Sequence, residues 1–227
     1  MIIAIDGPAG SGKTTTAQEV ARRLGFLHLD SGALYRAFAL AACERGWVGP
    51  AGDVPRERIV ELAALDVDGE VVQGAIMAVL EGRRLAEEIR TPEVTACASI
   101  VSAHPEIREQ VNAVLRRLAA QNPTGIVCEG RDMGTAVFPE AELKVYMDAQ
   151  PEERARRRLL QRGEDVSRES VSRESARLVA RDRQDSRRAA SPLRKAEDAT
   201  VVDTTRLSFE EQVAQIVEAA RRRPGSA

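Results

Sequence analysis

The chain has 227 residues, of which 43% are hydrophobic and 30% charged, and its formal net charge is −2. This near-neutral charge excludes a general attraction to nucleic acid or to an anionic membrane, and no apolar run approaches the roughly 18 residues that a membrane span needs. The three cysteines are far apart without C-x-x-C spacing, which argues against a disulfide framework or a zinc site. Because the N-terminus also lacks the basic and apolar regions of an export signal, we expect a cytoplasmic protein.

The first predicted elements are a strand at residues 2–5 and a helix at residues 14–24, joined by a glycine-rich segment. Residues 7–14 read G-P-A-G-S-G-K-T and fit the pattern G-x-x-x-x-G-K-[ST]. Glycines let the backbone bend until successive N–H groups converge on an anion, and the helix N-terminus adds its dipole. A plain glycine-rich turn is the alternative, but the flanking strand and helix are the context that the motif requires. Residues 7–14, the P-loop, therefore predict a nucleoside triphosphate site.

Two side chains of the P-loop have distinct expected roles. Lys13 is expected to reach the β- and γ-phosphates, and the Thr14 hydroxyl is expected to ligate Mg²⁺. The full set of predicted triphosphate contacts is Gly7, Pro8, Ala9, Gly10, Ser11, Gly12, Lys13, Thr14 and Thr15.

The middle of the chain contains a β-rich insert at about residues 66–89. Short apolar runs with turn signals at Asp68-Gly69 and Glu81-Gly82 indicate small antiparallel strands there. Thr91 followed by Pro92 is typical of a helix N-cap and first helical position. The other elements predicted in this region are a strand at 27–30 and helices at 33–44, 55–65, 91–102 and 105–120.

Strands alternate with helices again in the last part of the chain. This alternation predicts an α/β fold, a doubly wound parallel five-stranded sheet with the small antiparallel insert. We assign residues 1–40 and 121–227 to the core and residues 41–120 to a second region that carries the insert. The elements predicted here are strands at 125–129, 143–148 and 199–203 and helices from 151, at 167–186 and from 208.

The segment at residues 154–195 is strongly basic, with thirteen arginines and one lysine against six carboxylates. One interpretation is a pair of solvated helices with many i,i+4 ion pairs. Nucleic-acid binding is a second, but the segment has no aromatic side chain on which bases could stack. A basic arm that closes over polyphosphate needs only the charge, and we favour this third interpretation.

Arginines near strand ends suggest what the bound triphosphate reacts with. Arg36 follows the strand at 27–30, Arg131 follows the strand at 125–129, and residues 181–188 add further arginines within the basic segment. A guanidinium group binds phosphate oxygens with two parallel hydrogen bonds and stays protonated. Several such groups beside a P-loop favour a phosphoryl acceptor that is itself a phosphate.

Five segments of the chain form a pattern more specific than the P-loop alone. They are I-D-G-P-A-G-S-G-K at 5–13, L-D-S-G-A-L-Y-R at 29–36, I-R-T at 89–91, G-R-D-M-G-T at 130–135 and E-E-R-A at 152–155. With these segments the chain resembles the bacterial cytidylate kinases, collinearly and over nearly its whole length. The P-loop is generic, whereas D-S-G-A-x-Y-R and G-R-D-M-G-T in this order are much more specific. The resemblance implies a nucleoside-monophosphate-binding region at residues 41–120 and a helical lid at about residues 154–170.

The resemblance implies transfer of the γ-phosphoryl group of ATP to CMP or dCMP, with Mg²⁺ as cofactor. In the family a serine, an arginine and an aspartate recognise cytosine, and they match Ser99, Arg108 and Asp132. The acceptor phosphate is held at positions matching Arg36, Arg131 and Arg188, and the sugar at positions matching Arg181 and Asp185. Lid arginines near the transferred group match Arg157 and Arg158. With Lys13, Arg131 and Arg188 these two form the expected catalytic set.

Two positions depart from the family pattern. Glu129 stands where many relatives have aspartate, and its longer side chain bears on how a water-mediated Mg²⁺ is held. Ser31, an expected substrate contact, stands where threonine is common and keeps the hydroxyl.

Other functions stay open at this point. A P-loop kinase for another small acceptor is the first alternative, and a nucleotide-dependent binding module is the second. No N-K-x-D motif for guanine is present, and a binding module has no need of a second anion site. We expect small nucleotides as the partners, no nucleic acid or membrane, and a monomer.

Overall fold

The computed structural model describes residues 1–49 and 52–223. The chain forms two compact units, the first made of residues 1–26 and 124–227 and the second of residues 27–123. The elements are β1 (Ile2–Asp6), α1 (Lys13–Leu24), β2 (Leu27–Asp30), α2 (Ser31–Glu44), α3 (Arg56–Ala63), β3 (Val67–Val72), β4 (Ala75–Leu80), β5 (Arg83–Arg84), α4 (Pro92–Val101), α5 (Pro105–Ala120), β6 (Ile126–Gly130), β7 (Leu143–Asp148), α6 (Pro151–Gln161), α7 (Arg168–Arg187), β8 (Thr200–Asp203) and α8 (Phe209–Arg221).

The first unit is built on a parallel sheet with β1 between β6 and β7, and β8 beyond β7. Its core contains the alternate side chains Ile3 and Ile5 of β1, the β7 residues Leu143, Val145 and Met147, and apolar side chains of α1 and α8. Strand residues that alternate in this way place one apolar set against the packed helices. The carboxyl ends of β1 and β6 carry the P-loop and Arg131.

Local sequence signals explain where the helices of this unit begin and end. Gly25 ends α1 in the left-handed conformation, and its N–H bonds to the carbonyls of Ala21 and Arg22. Ser208 and Glu211 form a reciprocal capping box at the start of α8. Gly163 separates α6 from α7, which Ser167 caps.

The second unit combines helices with an antiparallel β-hairpin. Strand β4 pairs antiparallel with β3 and β5 and parallel with β2, where His28 lies opposite Ala75. Thr91 accepts a hydrogen bond from the Val94 N–H and caps α4, as predicted. The α/β class with a mostly parallel sheet is confirmed.

One predicted turn is wrong. Asp68 and Gly69 lie inside β3, and the hairpin turns at Gln73 and Gly74, whose φ angles are 49° and 79°. A two-residue hairpin turn of type I′ needs positive φ at both positions, and Gln73 and Gly74 both have it. The absence of a side chain at Gly69 has another reason, since a Cβ there would lie 2.4 Å from Ile76 Cδ1. The predicted turn at Glu81 and Gly82 is confirmed.

The compact units divide the chain at other points than the predicted functional regions, because residues 27–40 lie in the second unit. Among the residues that the structure describes, no helix is long and apolar enough to cross a membrane.

Gly7 allows the chain to leave β1 against the backbone of β7. Its φ is 151°, and a Cβ would lie 2.0 Å from the Met147 carbonyl oxygen. We expect Gly7→Ala to lower the free energy of unfolding by about 3 kcal/mol or more, because neither backbone can move freely. Gly25→Ala is the control, since a Cβ there meets nothing within 4 Å and costs about 1–2 kcal/mol through its positive φ. Urea unfolding curves measure both, and equal losses would contradict this account.

Candidate active site

The P-loop has the backbone of an anion-binding turn. Gly10 and Gly12 have φ angles of 78° and 88°, and Gly12 directly precedes α1. Inside the loop, the Ser11 hydroxyl donates to the Pro8 carbonyl at 3.1 Å. These left-handed glycines turn consecutive N–H groups toward one point ahead of the helix N-terminus.

Lys13 lies within this loop and is buried. Its Nζ donates to the Pro8 carbonyl at 2.7 Å and to the Ser11 hydroxyl at 3.3 Å. Burial, together with the positive charge of Arg131, lowers the pKa of Lys13 to about 7, against the opposing charges of Glu129, Asp6 and Asp182. A buried ammonium group with this pKa gains from an anionic ligand, which restores its favoured charged form.

The Thr14 side chain lies beside a carboxylate of β6. Its hydroxyl donates to Glu129 Oε2 at 3.0 Å, and Glu129 is buried at the end of β6. A hydroxyl and a carboxylate are hard oxygen ligands of the kind that Mg²⁺ takes beside substrate phosphates. No group of three or more histidine, cysteine or acidic residues that could hold a metal ion occurs within residues 1–49 and 52–223. The Thr14 hydroxyl and the Glu129 carboxylate are therefore the two groups here whose chemistry fits Mg²⁺.

Asp6 fixes the segment that follows β6. Its two carboxylate oxygens accept the N–H groups of Met133 and Gly134, both at 2.8 Å. Burial raises the pKa of Asp6 to about 6, although these two backbone bonds lower it. The segment then forms a π-helical turn at Met133–Val137. Asp6 thereby anchors the backbone next to Arg131 and Asp132.

Arg131 meets α7 through Asp185. Arg131 Nε donates to Asp185 Oδ2 at 3.0 Å, and Arg188 Nη1 lies 3.7 Å from Asp185 Oδ1. Arg188 also donates to the carbonyls of Asp185 and Ser191. The structure thus brings together three predicted substrate residues, two guanidinium groups on one buried carboxylate.

Arg157 is held by the loop after β8. It donates to the Thr204 hydroxyl at 3.0 Å and to the Thr204 carbonyl at 2.6 Å. Thr204 is fully buried and donates in turn to the Ser11 and Asp148 carbonyls. A Cβ at Gly12 would lie 3.9 Å from Arg157 Nη1, so this guanidinium group lies close to the P-loop.

Arg158, the other predicted lid arginine, pairs with a buried glutamate. Its Nε lies 3.2 Å from Glu174 Oε1, and Arg162 and Arg177 approach the other oxygen of Glu174. Burial lowers the pKa of Arg158. These ion pairs join α6 to α7 across the loop that connects the two helices.

In the second unit, Arg36 lies across a glycine. Its Nη2 donates to Asp30 Oδ2 at 2.8 Å, and a Cβ at Gly32 would come within 2.9 Å of both groups. Burial raises the pKa of Asp30, but the charges of Arg36, His28 and Arg90 outweigh it, so that pKa lies below its usual value. The D-S-G-A-x-Y-R segment therefore needs glycine to seat this ion pair.

Arg108 is buried between two elements of the second unit. Its Nη1 donates to the Ser102 carbonyl at 2.9 Å, and its guanidinium carbon lies 5.3 Å from the centre of the Tyr35 ring. The Ser102 hydroxyl bonds to the carbonyl of Ser99, which is half-buried. Ser99 and Arg108 are thus neighbours of one α4–α5 corner. Ser31 is buried at the first position of α2, and Asp132 is buried in the first unit.

Three contacts of this site were missing from the sequence predictions. Arg154 and Asp182 bond to the backbone of Ala9, and Thr204 joins Arg157 to Ser11. The usable signal was the spacing of Asp182 and Asp185, which share one face of a helix at i and i+3. Nothing in the sequence marked Thr204.

Comparison with known proteins gives the family. A family model described as cytidylate kinase matches residues 3–222. The chain belongs to the cytidylate kinase family. A curated cytidylate kinase of Carboxydothermus hydrogenoformans is 43% identical over 223 residues, covering 96% of each chain. Another, from Pseudomonas savastanoi, is 44% identical over 224 residues, 95% of this chain and 93% of the relative.

A solved structure of an uncharacterized protein from Eubacterium ventriosum is similar in fold. It has a TM-score of 0.52 at 11% identity and covers 96% of this chain and 97% of its own. At this identity the likeness supports the α/β fold alone.

The lowered pKa of Lys13 makes a prediction about stability. The unfolded chain keeps this amine protonated to about pH 10.4, whereas the folded chain releases the proton near pH 7. The folded state then binds fewer protons above pH 7, so its stability rises with pH there. We expect wild type to gain roughly 1–3 kcal/mol relative to Lys13→Met between pH 7 and 9. Urea unfolding of both proteins at pH 6, 7.5 and 9 measures the gain, and a pH-independent difference would contradict it.

Proposed function

We propose that this protein transfers the γ-phosphoryl group of ATP to CMP or dCMP, giving ADP and CDP or dCDP. Membership of the cytidylate kinase family is the observation that carries the proposal. The P-loop with its buried Lys13 supports it, because this arrangement suits a polyphosphate donor.

The donor site is assigned to residues 7–15. The N–H groups of the loop bind the β-phosphate, and the Lys13 ammonium bonds to β- and γ-phosphate oxygens instead of the Pro8 carbonyl. Thr14 and Glu129 would hold Mg²⁺, which would supply positive charge to neutralise the phosphates. The contact between the Thr14 hydroxyl and Glu129 supports this role.

The acceptor residues are assigned unit by unit. In the second unit, Arg36 binds the acceptor phosphate, and Ser31, Ser99 and Arg108 contact the nucleotide. In the first unit, Arg131 and Arg188 bind the phosphate, Arg181 and Asp185 contact the sugar, and Asp132 recognises cytosine. The pairing of Arg131 and Arg188 on one carboxylate supports the phosphate role, because it fixes two guanidinium groups before the ligand arrives.

Charge neutralisation and positioning account for the catalysis. The transferring phosphoryl group spreads negative charge over its oxygens, and Lys13, Arg131, Arg157, Arg158 and Arg188 stabilise that charge. The acceptor phosphate is already ionised near pH 7, so no side chain has to act as a strong base. Closure of the lid over both nucleotides keeps water from taking the phosphoryl group.

A hydroxyl acceptor suits these residues less well. It would need an aspartate as base and fewer guanidinium groups. In the first unit Asp185, the carboxylate that bonds to Arg131, is already paired with two arginines.

We place the activity in the cytoplasm, where the free thiols Cys43, Cys97 and Cys128 suit a reducing environment.

A transfer assay with four acceptors tests the proposal. We expect phosphorylation of CMP and dCMP far above that of UMP and AMP. The Asp132 carboxylate accepts a hydrogen bond from the cytosine amine. Uracil presents a carbonyl at this position, which leaves the carboxylate without a donor and costs about 1–3 kcal/mol of binding free energy. Asp132→Ala should narrow the ratio of kcat/KM between CMP and UMP by about tenfold or more. Wild type that uses CMP and UMP equally, or that releases only inorganic phosphate, would overturn the proposal.

A further inference from the structure

The backbone of Ala9 is held by two charged side chains from outside the P-loop. The Ala9 N–H donates to Asp182 Oδ1 at 3.0 Å, and the Ala9 carbonyl accepts from Arg154 Nη1 at 2.9 Å. The same Arg154 nitrogen lies 2.5 Å from Asp182 Oδ2. One peptide segment, one guanidinium group and one carboxylate thus form a closed group of charge-assisted bonds.

Both side chains are rigidly placed. Arg154 is nearly fully buried on α6, and its Nε donates to the Ala149 carbonyl at 3.0 Å. Its Cβ would lie 3.3 Å from a Cβ at Gly10, so its stem also packs on the loop. Asp182 lies on α7 with its side chain 15% exposed.

Apolar packing fixes the same point of the loop. Ala9 is buried in a small cluster with Ala155 and Leu159 of α6 and Val171 and Leu178 of α7. The P-loop is therefore attached at Ala9 to both α6 and α7, by packing as well as by hydrogen bonds. A loop that binds phosphate with its N–H groups depends on such support, because a small displacement of its backbone weakens all the hydrogen bonds to the phosphate at once.

We propose that Asp182 and Arg154 are positioning residues that hold the P-loop, at Ala9, in its ATP-binding conformation. They act on the loop backbone, because Asp182 and Arg154 bond to Ala9 and to each other, and Arg154 Nε is used on the Ala149 carbonyl. The role in ATP binding rests on the proposed function.

Binding measurements on Asp182→Ala and Arg154→Ala test the proposal. We expect the Kd for MgATP to rise about tenfold to a hundredfold in each variant, with the Kd for CMP changed less than twofold. In the double variant the two effects should fall well short of additive, because both residues act on one peptide segment. Glu218→Ala is the matched control, since it removes a carboxylate paired with an arginine on the exposed face of α8.

Hydrogen exchange of the free protein gives a readout that does not depend on activity. The Ala9 amide should exchange at least tenfold faster in Asp182→Ala, and in Glu218→Ala it should exchange as in wild type. If Asp182→Ala does not fold, Asp182→Asn replaces it, because the Asn side-chain oxygen still accepts from the Ala9 N–H while the negative charge that pairs with Arg154 is lost. An unchanged Kd for MgATP, or equal increases for MgATP and CMP, would overturn the positioning role. A wild type that binds MgATP but phosphorylates no nucleotide would overturn the proposed function alone.

Discussion

In the first unit, the carboxylate of Asp185 lies between the guanidinium groups of Arg131 and Arg188. Burial of a guanidinium group costs several kcal/mol unless a partner compensates it, and the first unit contains several such groups. Carboxylates also pair with two others, Asp182 with Arg154 and Glu174 with Arg158. This pairing lets the unit keep many positive charges in fixed places before any phosphate is bound.

Lys13 is the exception among these cations. It bonds to a carbonyl and a hydroxyl of its own loop, and its pKa falls to about 7 because burial disfavours the ammonium form. Such a group weakens the folded state at neutral pH and strengthens the binding of an anion. Functional sites commonly carry strain of this kind, which the rest of the core offsets.

The fold could largely be predicted from the sequence, because hydrophobic runs and caps report directly on local structure. The strands of the parallel sheet and the caps at Thr91 and Ser208 show this. The hairpin could not be placed, since Asp68-Gly69 is a stronger turn signal than Gln73-Gly74. In the structure Gly69 lies inside β3, where a Cβ would come 2.4 Å from Ile76 Cδ1.

Long-range contacts of the site were beyond local sequence signals. Asp6 could be placed at a strand end, but its bonds to Met133 and Gly134 join residues more than 120 positions apart. Asp182 lies in a run of charged residues, and such a run is typical of the solvent-exposed face of a helix. Its contact with Ala9 depends on how α7 packs on the P-loop, which only the tertiary structure supplies.

The central claim is that the guanidinium groups of Arg131 and Arg188, both held on Asp185, serve the ligand phosphate and contribute little to the stability of the fold. Arg188→Ala tests it most directly, because Asp185 keeps its 3.0 Å bond from Arg131 in this variant. The account predicts that kcat/KM for CMP falls by about a hundredfold or more, while the free energy of unfolding changes by less than about 1 kcal/mol. Arg177→Ala, on the same helix and 76% exposed, should leave both quantities near their wild-type values. Near-wild-type kinetics with a large loss of stability in Arg188→Ala would contradict the claim.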